Sequence, residues 1–373
     1  HFDVAVIGYG PTGATLALLL SQYNISTIII EKEKDIYPLP RAVHFDDEIM
    51  RVFQNIGIAT ELKDYLHVNP GMRFLNRRGE LLLDWPRPQH ITEQGWNASY
   101  RFHQPDLERL LRKKVFEKKE IVAKTQCFAT SINEIDQGVK VKYYDSRMDR
   151  EFFTTARYVV GCDGANSLVR TKLSNDMDDF GLKQRWLVVD VILKYDMPEL
   201  GEHTLQYCHH ERPMTYCRNP GLRMRWEIAL REELPDSVVN DQSWLWHALS
   251  QWITPNTATI ERTAVYKFRS LVAQTWQRGH FMIAGDAEHL MPPFMGQGMC
   301  AGIRDAANLG WKLACCIKNG HNEKLLASYQ EERGPHVKEF ITTAVKLGEF
   351  ICSEFPLQGL SSLGTHENKN DSM

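Results

Sequence analysis

No run of apolar residues in this sequence approaches the length of a membrane span, which argues against an integral membrane protein. An excess of one charge is lacking too. There are 44 Lys and Arg against 47 Asp and Glu, for a formal net charge of −3, so no nucleic-acid partner or acidic surface is implied. The one basic cluster, Arg109, Arg112, Lys113, Lys114, Lys118 and Lys119, reads as a solvated helix face, because Leu107, Leu110, Leu111 and Val115 recur at helical spacing. Eight cysteines are scattered without a C-x-x-C pair. That points to a reducing, cytoplasmic setting and away from a disulfide framework or a zinc site. There is no internal repeat, no visible secretory leader and no second G-x-G-x-x-G. The chain starts within an expected strand and without an initiator Met, so a few preceding residues are expected.

What is present is the composition of a globular enzyme, 43% hydrophobic and 24% charged over 373 residues, enough for one large or two modest domains. Its organising stretch is Asp3–Gly13. Val4, Ala5, Val6 and Ile7 form the short apolar run of a parallel strand buried on both faces. Gly8, Gly10 and Gly13 follow at G-x-G-x-x-G spacing. Gly8 allows a tight turn, Gly10 lets a pyrophosphate approach the backbone, and Gly13 lets the next helix pack closely. Pro11 suits the first helical position, Thr12 follows it, and the helix N-terminus offers free N–H groups to phosphates. A second strand, Thr27–Ile30, ends at Glu31, placed to accept hydrogen bonds from a ribose hydroxyl, with Lys32 beside it. This context identifies a dinucleotide site without separating FAD from NAD.

Further along, Pro38 and Pro40 mark a loop ending at Arg41, and Asp46 or Asp47 caps a helix running to Gly57. Met72–Trp85 reads as strands turning at Arg78-Gly79. A helix opens at Gln104-Pro105, and strands are expected around Cys127–Ile135, Val139–Tyr144 and Glu151–Val160. Longer strands then follow at Trp186–Leu193, His203–His209, Arg223–Leu230 and Thr259–Phe268, interrupted by a helix at Gln242–Trp252. They suggest an inserted antiparallel sheet. A strand–loop–helix unit returns at His280–Ala284 and Met299, and a last helix, Glu323–Glu354, is expected to break near Gly334-Pro335.

Two more stretches carry the identification. One is Gly161-Cys162-Asp163-Gly164-Ala165-Asn166-Ser167-Leu168-Val169-Arg170. The other runs from Gly285-Asp286-Ala287-Glu288-His289 through Pro292-Pro293 and Gly296-Gln297-Gly298-Met299 to Asp305-Ala306. With Gly8–Gly13, their order and spacing resemble the three fingerprints of the FAD-dependent aromatic hydroxylases, the para-hydroxybenzoate hydroxylase-like flavoprotein monooxygenases. The similarity covers about Phe2 to Cys352 and is greatest to the 3-(3-hydroxyphenyl)propionate hydroxylase branch.

The resemblance implies an α/β fold: a Rossmann-like FAD-binding domain of the GR2 type, an inserted, mostly antiparallel substrate sheet, and C-terminal helices. The expected boundaries are 1–71, 101–184 and 270–355 for the FAD domain, 72–100 and 185–269 for the substrate domain, and 356–373 for a frayed tail. It implies FAD as resident cofactor, NADH or NADPH as transient co-substrate, and O2. The reaction would be hydroxylation of a small, phenolic aromatic substrate through a flavin C4a-hydroperoxide. A flavin oxidase or reductase on the same fold, or a non-catalytic FAD-bearing protein, is the alternative. A homo-oligomer is left open.

By the same resemblance Asp286 holds the ribityl chain, and Asp163 with Gly164 helps bind FAD and the nicotinamide cofactor. Gly296, Gln297, Gly298 and Met299 face the flavin's pyrimidine end, and Arg41 and Gln104 lie near it. Pro293 shapes the wall beside the reactive edge, and His289 is the candidate acid or base; these two form the expected catalytic pair. Tyr207, Tyr216, Arg223 and Arg225 are the candidate substrate contacts, one arginine meeting a substrate carboxylate. Glu288 stands where the resembled family usually has alanine.

Overall fold

The computed structural model describes residues 1–37, 41–231, 234–239 and 241–352. Pro38, Pro40 and the expected tail lie outside them. The chain divides into two units, 1–69 with 88–181 and 269–341, and 70–87 with 182–268 and 342 onward. Residues 88–100, expected with the inserted sheet, fall in the first unit, because Ser99–Phe102 pairs with His44–Asp46 and Leu66–Val68. Residues 342–352 fall in the second, where the His209 N–H donates to the Ile351 carbonyl and Phe350 packs on Phe74.

The first unit is built on a parallel sheet in the order 281–283, 150–161, 2–7, 27–30, 121–124. Val4 to Ile7 and Ile28 to Ile30 are buried, as strands covered on both faces must be. The helix Pro11–Ser21 packs along the helix Gly298–Asn319, and Gly310 brings its backbone against Leu16 and Leu19. Asp46 caps the helix Asp47–Asn55 by accepting the Ile49 N–H. The last helix runs unbroken over Glu323–Ile351, contrary to the expected break at Pro335. Packing outweighs the lost backbone bond there: Tyr329, Arg333, Val337 and Ile341 are all buried.

The second unit holds a seven-stranded sheet in the order 258–268, 184–193, 223–230, 214–218, 204–207, 71–75, 81–86. Every pairing is antiparallel except 204–207 with 71–75. Alternate residues Leu187, Val189 and Val191, with Met224, Trp226 and Ile228, form one buried core with Leu245 and Leu249 of the helix Gln242–Leu249. On the strands between them Asp190 faces Arg225 and Arg262, one on each neighbouring strand. Asp190 Oδ1 accepts from Arg225 Nε at 2.6 Å and Oδ2 from Nη2 at 3.1 Å, with both residues buried.

Removing one partner of such a pair strands a buried charge. Asp190→Ala is therefore expected to cost about 3–5 kcal/mol in urea unfolding, because it takes the carboxylate from both Arg225 and Arg262. A single variant that unfolds at the wild-type urea concentration would show that the pair carries no such weight.

Candidate dinucleotide-binding site

Four adjacent parallel strands end together. Ile7 is level with Ile30 on one side and Gly161 on the other, and Gly161 is level with Ile283. The backbone ladder continues past them. Gly8 N–H donates to the Ile30 carbonyl at 2.9 Å, Cys162 N–H to Ile7 at 2.7 Å, and Ala284 N–H to Gly161 at 2.9 Å. The glycine loop, Glu31, the Asp163 stretch and the Asp286 stretch therefore leave the sheet side by side at its carboxyl edge, where ligands bind in open parallel sheets.

The three glycines divide the work as their spacing predicts. Gly8 has φ +104°, and a Cβ there would sit 2.2 Å from the Cys162 carbonyl oxygen; one at Gly13 would sit 2.3 Å from the Gly8 carbonyl oxygen. A Cβ at Gly10 would meet nothing within 4 Å, so the approach to this backbone is open. Gly10 precedes the helix and no side chain caps it, leaving the N–H groups of its first turn for a ligand. Glu31 Oε2 accepts the Tyr9 N–H at 2.7 Å and Oε1 the Glu33 N–H at 2.8 Å. These bonds fix the carboxylate and leave a lone pair on each oxygen for a hydroxyl donor. Lys32 is exposed at the rim beside Glu33.

Thr12 locks the loops together. Its Oγ1 would lie 2.8 Å from a Cβ at Gly285 and 2.4 Å from one at Gly302, so only glycines let the two helices and the Gly285 turn meet. Asp286 follows Gly285. It is exposed to solvent, yet crowding by protein dehydrates its carboxyl and raises its pKa, against smaller opposing effects of His289 and then Arg41. Arg41 is held by its backbone: the N–H groups of Arg41 and Ala42 both donate to Gln104 Oε1, at 3.0 and 2.8 Å, and Gln104 Nε2 donates to Glu108 at 2.7 Å. Gln104 is buried and serves the site through that loop.

A second bare helix start lies at Gly298. Gln297 Nε2 donates to Asp46 Oδ2, and its Oε1 accepts from Arg304 Nη1, so its side chain is committed and the helix has no side-chain cap. The first amides, from Gly298 and Met299 onward, are left for an anionic group. Gly296 has φ +65° and ends the turn Pro293–Met295, with His44 so close that a Cβ would lie 3.0 Å from its Nδ1. Pro293 opens that turn and is half-buried. Asp163 Oδ2 accepts the Leu168 N–H at 2.7 Å; its Oδ1 is buried and meets no partner among the described residues. Gly164 has φ +78° and open space beside it. Arg170 does not pair with Asp163 in a hydrogen bond but donates to the carbonyls of Ala165 and Ala287, tying two motifs together.

Three expectations change. His289 is enclosed: its Nε2 bonds Asp305 Oδ2 at 2.7 Å inside a buried group completed by Arg333 on Asp305 Oδ1. A side chain so placed positions the turn rather than meeting a substrate. Glu288, His289 and Asp305 bring their donor atoms within 4.8 Å of one another, but Arg333 supplies the positive charge, so the group reads as an internal hydrogen-bond network. In the sheet unit Tyr216 is a core residue against Trp226, and Arg225 is spent on Asp190. Tyr207 and Arg223 stay half-exposed. Sequence reasoning counted Thr12 and Gln104 among the cofactor-binding residues but did not foresee their contacts, the Thr12 lock and the Gln104 brace, nor the Arg170 tie. All join stretches distant in sequence; only the glycines at 285 and 302 hinted at them.

The chain matches the FAD binding domain family model over residues 1–344, and it belongs to that family. It is 37% identical over 350 residues to a probable NADH-specific resorcinol 4-hydroxylase of Rhodococcus jostii strain RHA1, covering 93% of this chain and 65% of that protein. It is 32% identical over 361 residues to a 3-(3-hydroxy-phenyl)propionate/3-hydroxycinnamic acid hydroxylase of Mycobacterium avium strain 104, covering 94% and 61%. The chain thus spans a little under two thirds of these relatives' length. Its fold is that of p-nitrophenol 4-monooxygenase PnpA from Pseudomonas putida DLL-E4, with a TM-score of 0.87 at 20% identity, covering 97% of this chain and 93% of that one. The flavin-dependent monooxygenase PieE gives a TM-score of 0.84 at 19% identity, covering 99% and 69%. No described helix is long and apolar enough to cross a membrane.

The residues present fit FAD. Open backbone at Gly10 and a bare helix start suit a pyrophosphate, and Glu31 and Asp286 suit hydroxyl donors. Asp286→Ala should therefore fold normally, with unchanged circular dichroism, yet bind FAD at least about tenfold more weakly and purify nearly colourless. Full flavin content in that variant would remove Asp286 from the site.

Proposed function

We propose that this chain is the core of an FAD-dependent, NAD(P)H-consuming hydroxylase of small phenols, with NADH the preferred reductant. The convergence of three fingerprint loops on one sheet edge carries the FAD part of this reading. The phenol and NADH parts rest on the named relatives, which are 37% and 32% identical to it over nearly its whole length.

Bound FAD would supply hydride acceptance from the nicotinamide and the activation of O2. The chain's own residues do the rest. Gly10 and the amides of the first helix turn would hold the pyrophosphate, and Glu31 the adenosine ribose. Asp286, with Asp163 and Gly164, would bind hydroxyls of the cofactor. Arg41 adds positive charge near Asp286. The amides of Gly298 and Met299, at the positive end of a 22-residue helix, would stabilise negative charge on the reduced ring without reorganising. Pro293, fixed in φ, would shape the wall of the ring's pocket. Of the sheet residues only Arg223, on the face that Asp190 shares, is carried forward as a contact for the phenol; Tyr207 lies on the opposite face, packed on the helix-side core against Trp252. Exclusion of water is required of the whole site, since a wet one would release hydrogen peroxide instead of transferring oxygen.

The test is a panel of phenols, resorcinol and 3-hydroxyphenylpropionate included, offered with NADH or NADPH under labelled O2. The expected result is substrate-stimulated NADH oxidation with one labelled oxygen in the product by mass spectrometry. NADH oxidation that yields only hydrogen peroxide with every phenol points to an oxidase and contradicts the proposal, as does FAD binding without turnover.

A further inference from the structure

Glu288 lies behind the Gly285–Ala287 turn, and none of the roles above uses it. Its side chain is fully buried. Oε2 lies 2.5 Å from the Tyr329 hydroxyl, and Oε1 has no hydrogen-bond partner among the described residues, with His289 Nε2 3.9 Å away. The same Tyr329 hydroxyl lies 3.1 Å from the Ile283 carbonyl oxygen. A phenol has one proton, and a carbonyl oxygen can only accept. If Tyr329 donates to Ile283, the proton between Tyr329 and Glu288 must come from the carboxyl.

The surrounding charges favour that arrangement. Asp305, from the helix Gly298–Asn319, is already matched by Arg333, from the last helix, and donors from His289 and the Gly285 N–H complete its shell. An ionised Glu288 would add a second negative charge beside Asp305, with His289 Nε2, 3.9 Å from its Oε1, already bonded to Asp305 and Cys162 offering no positive charge in return. Burial and the Asp305 charge raise the Glu288 carboxyl well above its ordinary range, against smaller opposing effects of Tyr329 and Arg333. The sign follows: the proton is held more tightly folded than unfolded. This contribution to stability is whole at acid pH and declines as pH climbs from the ordinary glutamate range through the raised folded value.

We propose that Glu288 is kept as a neutral acid whose O–H, relayed by Tyr329 to the Ile283 carbonyl, positions the Gly285–Asp286 turn for FAD, and that its ionisation at alkaline pH loosens the cofactor. Glu288 is thus a positioning residue. Ile283 ends the strand from which Asp286 projects, three residues on. When Glu288 loses its proton, Tyr329 turns its own to the carboxylate, and the Ile283 carbonyl is left buried without that donor, a cost that falls on the turn. The proposal rests on the assignment of FAD to this turn.

The experiment pairs two readouts on the intact chain. Infrared difference spectra of carboxyl-labelled protein, wild type minus Glu288→Gln, report protonation with or without flavin. FAD titration by fluorescence, from about pH 7 to about pH 10, reports the turn. The expected results are a protonated-carboxyl band at neutral pH in wild type that Glu288→Gln lacks, and an FAD Kd in wild type that rises about tenfold as the band fades. Glu288→Gln, whose amide donates to Tyr329 at any pH, should match wild type at neutral pH and show no alkaline rise. A missing band, a band that survives the whole range, or an equal alkaline rise in the variant overturns the proposal. If neither protein binds FAD at any pH, the cofactor assignment fails, and the infrared band still reports Glu288 separately.

Discussion

The Thr12 hydroxyl, wedged between Gly285 and Gly302, is the contact on which the site depends. It stands one residue into the fingerprint helix and touches the two places where any side chain would intrude. Because all three backbones come this close, the Asp286 turn, the first helix start and the second helix share one small volume. A methyl group at either glycine would overlap Thr12 by more than side-chain adjustment relieves. The glycine loop repeats the device: Gly8 lies on Cys162, and Gly13 on Gly8. The edge of the sheet is thus built from backbone against backbone, which is what brings N–H groups rather than side chains to the ligand.

Each unit holds a buried carboxylate met by an arginine. Asp305 has Arg333 in the first, and Asp190 has Arg225 in the second. Such pairs contribute less to stability than their geometry suggests, because both charges lose their hydration. Their value is in fixing neighbours. Asp305 holds the Gly285 N–H and His289, directly behind the flavin turn. Asp190 joins three strands of the sheet.

The sequence made local things legible. The glycine spacing, the strand–helix order, the Asp46 cap and most strands of the inserted sheet follow from periodicity and turn chemistry, which are properties of neighbouring residues. Strand Met214–Arg218 was missed because its burial leaves no alternation to read: Met214, Thr215, Tyr216 and Cys217 are all buried. Pro335 misled because a proline penalty of a few kcal/mol is visible in sequence, while the packing that offsets it is not. Where His289, Tyr216 and Arg225 are engaged could not be read from the sequence, for one reason. A polar side chain in a pattern does not reveal whether another buried residue, such as Asp305 or Asp190, already claims it.

The central claim is that loops from distant parts of the chain hold both halves of a flavin dinucleotide, the adenine end by the glycine loop and Glu31 and the flavin end by Asp286 and the second helix. Fluorescence titration of the apo chain with FAD and with FMN separates those halves directly. The account predicts one FAD per chain and FMN binding weaker by at least about tenfold, because FMN leaves the pyrophosphate site half empty and Glu31 without a ribose. Equal affinity for the two, or no uptake of FAD, would contradict it.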